Sequence, residues 1–213
     1  MVLTGGPVAG LVFDMDGTLI ESHAAVPAAY RATVVADGGR EHTDEEIIAG
    51  YSLGAPADLL SFLLGRTATA ADLARYHDEL AAVADQVTVY DGVAAVVAEA
   101  ARRVPVGLFT GASHPAAQIL LERTGLARHF TVLVGGDLVE RAKPDPEGVL
   151  LACRRLGVSP CRIAYVGDSP LDLRAARSAG ALAVAAAWGH QYDPGAPADL
   201  TAARPGDLLP LLG

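Results

Sequence analysis

Apolar runs recur along the chain, and each ends in turn or polar residues. They are Gly10 to Phe13, Val104 to Phe109, Phe130 to Val134, Arg162 to Val166 and Ala181 to Ala186. Helical patterns separate several of them, at Pro115 to Thr124, Pro146 to Leu156 and Pro170 to Ala179. Strand and helix alternating at this spacing predict an α/β fold built on a parallel, doubly wound sheet. The runs lack strict polar alternation, as expected of strands covered on both faces. With 213 residues and 51% hydrophobic content, the chain has enough material for one large domain or a domain carrying an insertion.

One segment breaks the alternation. From about Ile20 to Gln86 the chain is Ala-rich, with Leu, Glu, Asp and Arg interleaved and no clear strand. Helices are expected at Ala24 to Asp37, Asp44 to Ala49, Ala57 to Leu64 and Ala70 to Asp85, punctuated by Gly38-Gly39, Gly50, Gly54-Ala55-Pro56 and Gly65. Coming directly after the first strand, this insertion reads as an α-helical cap domain over residues 20–86, with residues 1–19 and 87–213 forming the catalytic core. The alternative is a helical layer packed on the sheet edge. The tail from Tyr192 is rich in Pro, Ala and Asp and is expected to close the sheet and end in a short Leu-rich helix.

Chemistry-bearing residues gather at the strand ends, where open α/β sheets bind ligands. The first run leads into Asp14-Met15-Asp16-Gly17-Thr18. A carboxylate at Asp14 can attack phosphorus, and Asp16 can protonate a leaving oxygen and then activate water. If the strand continues, its period of two puts both acids on one face; the competing reading is a simple turn after a solvated strand end. The second run ends in Thr110-Gly111-Ala112-Ser113-His114-Pro115, which offers a hydroxyl, an unhindered N–H and a capped helix N-terminus to an anion. His114 reads as a surface residue at the helix start. Lys143-Pro144-Asp145-Pro146-Glu147 supplies a cation just before a helix. Alone, such a lysine reads first as a solvated loop residue. Val166-Gly167-Asp168-Ser169-Pro170-Leu171-Asp172 supplies carboxylates suited to Mg²⁺, with Asp172 either capping its helix beside Ser169 or supporting the metal.

The bulk numbers remove other classes. A net charge of −9 and a pI near 5.0 argue against a nucleic-acid partner. The most apolar stretch, Gly180 to Trp188, falls far short of the roughly 20 residues a membrane span needs. Met1 to Gly10 shows no signal-peptide pattern, and Cys153 and Cys161, lacking metal or redox spacing, read as small core residues. A cytoplasmic location and no membrane partner are therefore expected. The oligomeric state, monomer or homodimer, is left open.

Taken together, Asp14-Met15-Asp16-Gly17-Thr18, Thr110-Gly111, Lys143-Pro144-Asp145-Pro146-Glu147 and Gly167-Asp168-Ser169-Pro170-Leu171-Asp172 resemble the four motifs of the haloacid dehalogenase superfamily of aspartate-nucleophile phosphohydrolases. Ala175 to Gly180 and Trp188-Gly189 are similar to its phosphoglycolate-phosphatase-like branch. The resemblance implies a Rossmann-like core with helices on both faces and an inserted helical cap. It implies Asp14 as nucleophile and Mg²⁺ ligand, Asp16 as acid/base with its carbonyl on the metal, and Thr110, Gly111 and Lys143 as phosphate-binding residues. It further implies Asp168 as metal ligand with Asp172 supporting it, and a small phosphorylated metabolite, phosphoglycolate first, as substrate. Asp16 argues against dehalogenases and phosphonoacetaldehyde hydrolases, which lack that acid. β-Phosphoglucomutases share both acids, but Val26 stands where their cap carries His, and Leu53 follows Gly50-Tyr51-Ser52 where they carry Arg. Hydrolysis is thus favoured over the mutase alternative. A non-catalytic phosphometabolite-binding module is disfavoured because Asp14, Asp16 and Asp168 are all present. Tyr51, Ser52 and Arg66 are the candidate specificity residues of the cap.

Overall fold

A computed structural model describes residues 6–213. β1 (Gly10–Phe13) runs into a turn and the two-residue β2 (Ile20–Glu21). Helices follow: α1 (Ala25–Ala36), α2 (Asp44–Ala49), α3 (Pro56–Leu64) and α4 (Ala70–Val83). The chain returns through β3 (Thr88–Val89), antiparallel to β2, and then alternates: α5 (Val93–Arg103), β4 (Val106–Phe109), α6 (His114–Arg123), β5 (Val132–Val134), α7 (Glu147–Leu156), β6 (Ile163–Gly167), α8 (Pro170–Ala179), β7 (Leu182–Ala186) and β8 (Leu200–Ala202). A 3₁₀ helix, Pro205–Leu212, follows.

Six strands form one sheet in the order β5-β4-β1-β6-β7-β8, with every pair parallel. Leu11 pairs with Val106 on one side and Ala164 on the other. The chain builds outward from β1 first toward β5 and then toward β8. The switch of direction therefore falls at β1, and the crevice at its carboxyl end is the expected ligand position.

The period of two along β1 sorts its side chains between two cores. Leu11 and Phe13 join one apolar cluster with α5 and α6, and Val12 joins the other with α7 and α8. Both faces are covered, as the apolar runs predict. Each fully buried Leu, Val or Phe contributes roughly 1.5–3 kcal/mol, which makes the sheet a rigid platform for the loops at its end.

The insertion packs α1 against α4, with Tyr30, Val34, Leu60, Tyr76 and Leu80 in the same cluster as the α5/α6 face. Thr43 and Thr69 cap α2 and α4 in reciprocal capping boxes. The insertion is not wholly without strand, because Ile20–Glu21 opens it. Helix α5 was not among the expected elements, although Val93, Val96, Val97 and Ala100 mark one buried helical face. Cys153 is buried as expected. Cys161 is exposed, because it lies on the 3₁₀ turn Pro160–Arg162 that leads into β6 rather than on the strand. Among the described residues, no helix is long and apolar enough to cross a membrane.

Candidate active site

The end of β1 separates its two acids. The Asp14 N–H donates to Val166 O at 2.8 Å, extending the strand pairing one residue further. The Asp14 carboxylate is buried and pairs with Lys143, Oδ1 to Nζ 2.5 Å. Asp16 instead accepts a short hydrogen bond from the Ser22 hydroxyl at the entry to the insertion. Gly17 turns the chain at φ +80°, and a Cβ there would collide with the Asp168 carboxylate. Only glycine suits both the left-handed backbone and that close approach. Trp188 Nε1 donates to Thr18 O at 2.9 Å and ties the turn to the loop after β7.

Lys143 comes from the loop after β5. Glu147, in the first turn of α7, fixes this loop by accepting from the backbone N–H groups of Glu140 and Arg141 at 3.0 and 3.1 Å. The ammonium lies 2.7 Å from Asp172 Oδ1 and over the rings of Phe109 and Tyr165, 5.0 and 5.6 Å from their centroids. Gly148 has to be glycine because any Cβ would enter the Phe109 ring. The lysine is thus held on every side, far from the solvated loop residue that a lone lysine suggests.

Asp168 and Asp172 follow β6. Asp172 takes the capping role its sequence position allowed and also reaches Lys143. Its Oδ2 accepts from the Ser169 N–H and hydroxyl, capping α8, while its Oδ1 accepts from Tyr165 at 3.1 Å and pairs with Lys143. Asp168 is buried and accepts from the Gln191 N–H at 2.9 Å. One carboxylate oxygen from each of Asp14, Asp168 and Asp172 lies within 4.8 Å of the others. Three buried carboxylates face one ammonium, so the cluster carries uncompensated negative charge. An all-oxygen donor set of this kind fits a hard divalent cation such as Mg²⁺.

The electrostatics carry the same imbalance. Burial, then the charge of Asp172, raises the Asp14 carboxyl well above its ordinary range, with Lys143 pulling the other way. Burial also raises Asp168 and Asp16, the latter opposed mainly by the Ser22 hydrogen bond. Burial alone lowers Lys143, but Asp14 and Asp172 more than offset it and keep the ammonium protonated.

At the end of β4, next to β1, Thr110 is buried and its hydroxyl accepts from the Ala112 N–H at 3.1 Å. Gly111 is exposed, with open space where a side chain would stand. Ser113 caps α6 and is met by His77 Nε2 of α4 at 2.8 Å, a direct tie between the insertion and the core. His114 is half-buried. Of the three candidates in the insertion, Tyr51 has its phenol raised, first by burial and then by the charge of Asp16. Arg66 is not brought to the acids: its guanidinium is engaged by Asp37 and Asp72, each at 2.7 Å. The Ser52 side chain lies outside the described residues. Sequence reasoning missed Ser22, Tyr165 and Gln191, which carry no motif and act through pairings set by the fold.

A parallel sheet whose central strand ends in a buried aspartate, paired to a lysine and clustered with two further buried carboxylates, is the candidate site of an α/β hydrolase. The chain belongs to the haloacid dehalogenase-like hydrolase family, whose profile matches residues 8–180. It is 30% identical to a phosphoglycolate phosphatase of Escherichia coli K12 over 97% of this chain and 93% of that one. It is 29% identical to an N-acetylmuramic acid 6-phosphate phosphatase of Pseudomonas aeruginosa, over 95% and 93%. Its fold is similar to that of CbbY from Rhodobacter sphaeroides, solved in complex with phosphate, with a TM-score of 0.83, 24% identity and coverage of 96% and 99%.

Proposed function

We propose that the chain is a Mg²⁺-dependent phosphatase that hydrolyses a small phosphorylated metabolite through an aspartyl phosphate on Asp14. The enzyme is a phosphoric monoester hydrolase of the haloacid dehalogenase-like family. The observation that carries the finer reading is Lys143, held between Asp14 and Asp172 beside Asp168.

In this reading Asp14 attacks phosphorus in line with the ester oxygen. The P–O bond to the alcohol breaks and Asp16, whose carboxyl burial raises above its ordinary range, gives that oxygen its proton. Water then attacks the acyl phosphate, Asp16 takes the water's proton, and Asp14 is released with inorganic phosphate. Lys143, the Thr110 hydroxyl and the Gly111 N–H hold the equatorial phosphoryl oxygens. Asp14, Asp168 and the carbonyl of Asp16 would hold Mg²⁺, with Asp172 supporting them; when bound, the cation neutralises charge between nucleophile and phosphoryl group. Such help is needed because phosphate-monoester hydrolysis requires accelerations up to roughly 10²¹.

Residues 1–19 and 87–213 act as the core in this account, and residues 20–86 as the cap that excludes water and meets the leaving group. Phosphoglycolate is the first substrate to assay, given the relatives of that name. The test is hydrolysis of an aryl phosphate with Mg²⁺, with chelator, and by Asp14→Asn. Turnover that survives chelation or the substitution overturns the reading. Isomerisation of β-glucose 1-phosphate without free phosphate, in the presence of a sugar bisphosphate, would instead mark a mutase.

A further inference from the structure

The loop that ends β4 is gripped from two sides. Phe13 of β1 pairs with Leu108 of β4, so Thr110 stands one residue beyond the level of Asp14 on the neighbouring strand. On the core side, the Gly136 N–H donates to Ala112 O at 2.7 Å and the His114 N–H to Asp137 Oδ1 at 2.6 Å. On the other side stands the insertion. His77, half-buried on α4, meets the Ser113 hydroxyl with its Nε2 at 2.8 Å. The same Ser113 Oγ accepts from the Ala116 N–H at 3.3 Å and so caps α6. Ser113 is only 4% exposed, so the contact is shielded from water at that end.

Apolar packing already docks the insertion here. Tyr76 and Leu80 of α4 share one cluster with Ala117, Leu120 and Leu121 of α6. Asp85 and Arg123 pair at the far end of α6, but their side chains are 69% and 52% exposed, and such pairs are worth little. What His77 adds is local. It reaches the residue that begins α6, three residues after Thr110 and two after Gly111. Burial lowers the His77 imidazole, with the charges of Asp137 and Asp78 pulling the other way. A neutral ring serves in either tautomer, accepting the Ser113 O–H or donating to its second lone pair. Either way it holds the Ser113 side chain where that side chain caps α6, and with it the N–H groups that make a helix start an anion site.

We propose that His77 is a positioning residue for the phosphate-binding loop: through Ser113 it passes the docked position of the insertion to Thr110, Gly111 and the start of α6. This rests on the phosphatase reading of that loop. The loss of His77 should be blind to the leaving group, since every substrate brings the same phosphoryl group. The test uses the full chain at saturating Mg²⁺. It measures the inhibition constant of inorganic phosphate, and kcat/KM on para-nitrophenyl phosphate and on the best alkyl ester among glycerol 3-phosphate, glucose 6-phosphate and phosphoglycolate. His77→Phe keeps a ring beside Tyr76, where the present centroids are 5.4 Å apart, and loses the hydrogen bond. It should weaken phosphate about three- to tenfold and lower kcat/KM on both esters by a similar factor, the scale of one hydrogen bond. His77→Gln, whose amide can place an N–H where Nε2 stood, should recover most of that loss. In a Ser113→Ala background His77→Phe should cost almost nothing further. Thermal melting checks each variant, and His77→Ala replaces His77→Phe if the larger ring is not tolerated. An inhibition constant within about twofold of wild type, a loss on one ester only, no recovery by His77→Gln, or an undiminished loss in the Ser113→Ala background overturns the role. A wild-type chain inert toward the aryl phosphate overturns the phosphatase reading beneath it.

Discussion

Replacing Lys143 by methionine keeps an unbranched side chain of similar reach and removes its charge. The ammonium is 2.5 Å from Asp14 and 2.7 Å from Asp172, and its side chain is 11% exposed. At an effective dielectric near 20, unit charges about 4 Å apart interact by about 4 kcal/mol. Relief of the lysine's own desolvation offsets part of this, and stripping one partner from a buried pair costs about 3–5 kcal/mol net. In a chain of this size that is a fall in Tm of roughly 6–20 °C, at about 2–4 °C per kcal/mol. Chemistry loses more than stability, because a fixed charge aimed at the transition state is worth about 10²–10³ in kcat. The pH profile should move as well. Lys143 opposes the upward shift of Asp14, so its loss raises that carboxyl further and carries the acidic limb of the rate, where the nucleophile is protonated, to higher pH. The assay is aryl-phosphate hydrolysis with saturating Mg²⁺ across pH, alongside thermal melting. A folded variant that keeps kcat/KM within about threefold and an unmoved acidic limb would refute the electrostatic reasoning.

Gly17→Ala forces a Cβ into the Asp168 carboxylate at a left-handed turn, so that carboxylate must retreat by about 1 Å to restore contact distance. The Mg²⁺ concentration for half-maximal rate should rise about 10–100-fold, read from a metal titration. Asp14→Asn should raise the Tm of the metal-free protein at neutral pH. The folded pKa of Asp14 lies above its ordinary 3.8, so its stabilising contribution is present at low pH and is lost as pH climbs through the folded value. An amide never ionises and escapes that loss; melting in chelator at pH 7 and at acid pH reads the difference. Asp16→Asn should slow alkyl phosphate hydrolysis by about 10²–10⁴. The first step with an aryl phosphate, whose leaving group needs no proton, should suffer far less, as burst kinetics would show.

The Thr110 and Asp168 loops were legible because each is a local unit: an apolar strand, a turn with a small or acidic residue, and a helix capped by Ser113 or Ser169. Asp14 shares the strand and the turn, but its chain leads into β2 rather than a capped helix. Asp172 was ambiguous because its capping role is local, whereas its pairing with Lys143 joins loops on either side of α7 and β6. The stacking of Tyr30 on Tyr76 was hidden because both sit on the buried faces of α1 and α4, where sequence reads only core. The pairing of Arg66 was hidden because only the packing of α1 and α4 brings Asp37 and Asp72 to it. Helix α5 was not among the expected elements although it carries a clear apolar face, and β8 is a three-residue strand at the sheet edge, too short to show a period.

The central claim is that Asp14 takes the phosphoryl group and Asp16 is needed to release it. The direct measurement is a rapid-quench reaction of Asp16→Asn with an excess of aryl phosphate, followed by mass spectrometry of the digested protein. The account predicts a burst of one aryl alcohol per enzyme and a phosphoryl group on Asp14. A phosphoryl group on any other residue, or the same burst from the Asp14→Asn, Asp16→Asn double variant, would contradict it.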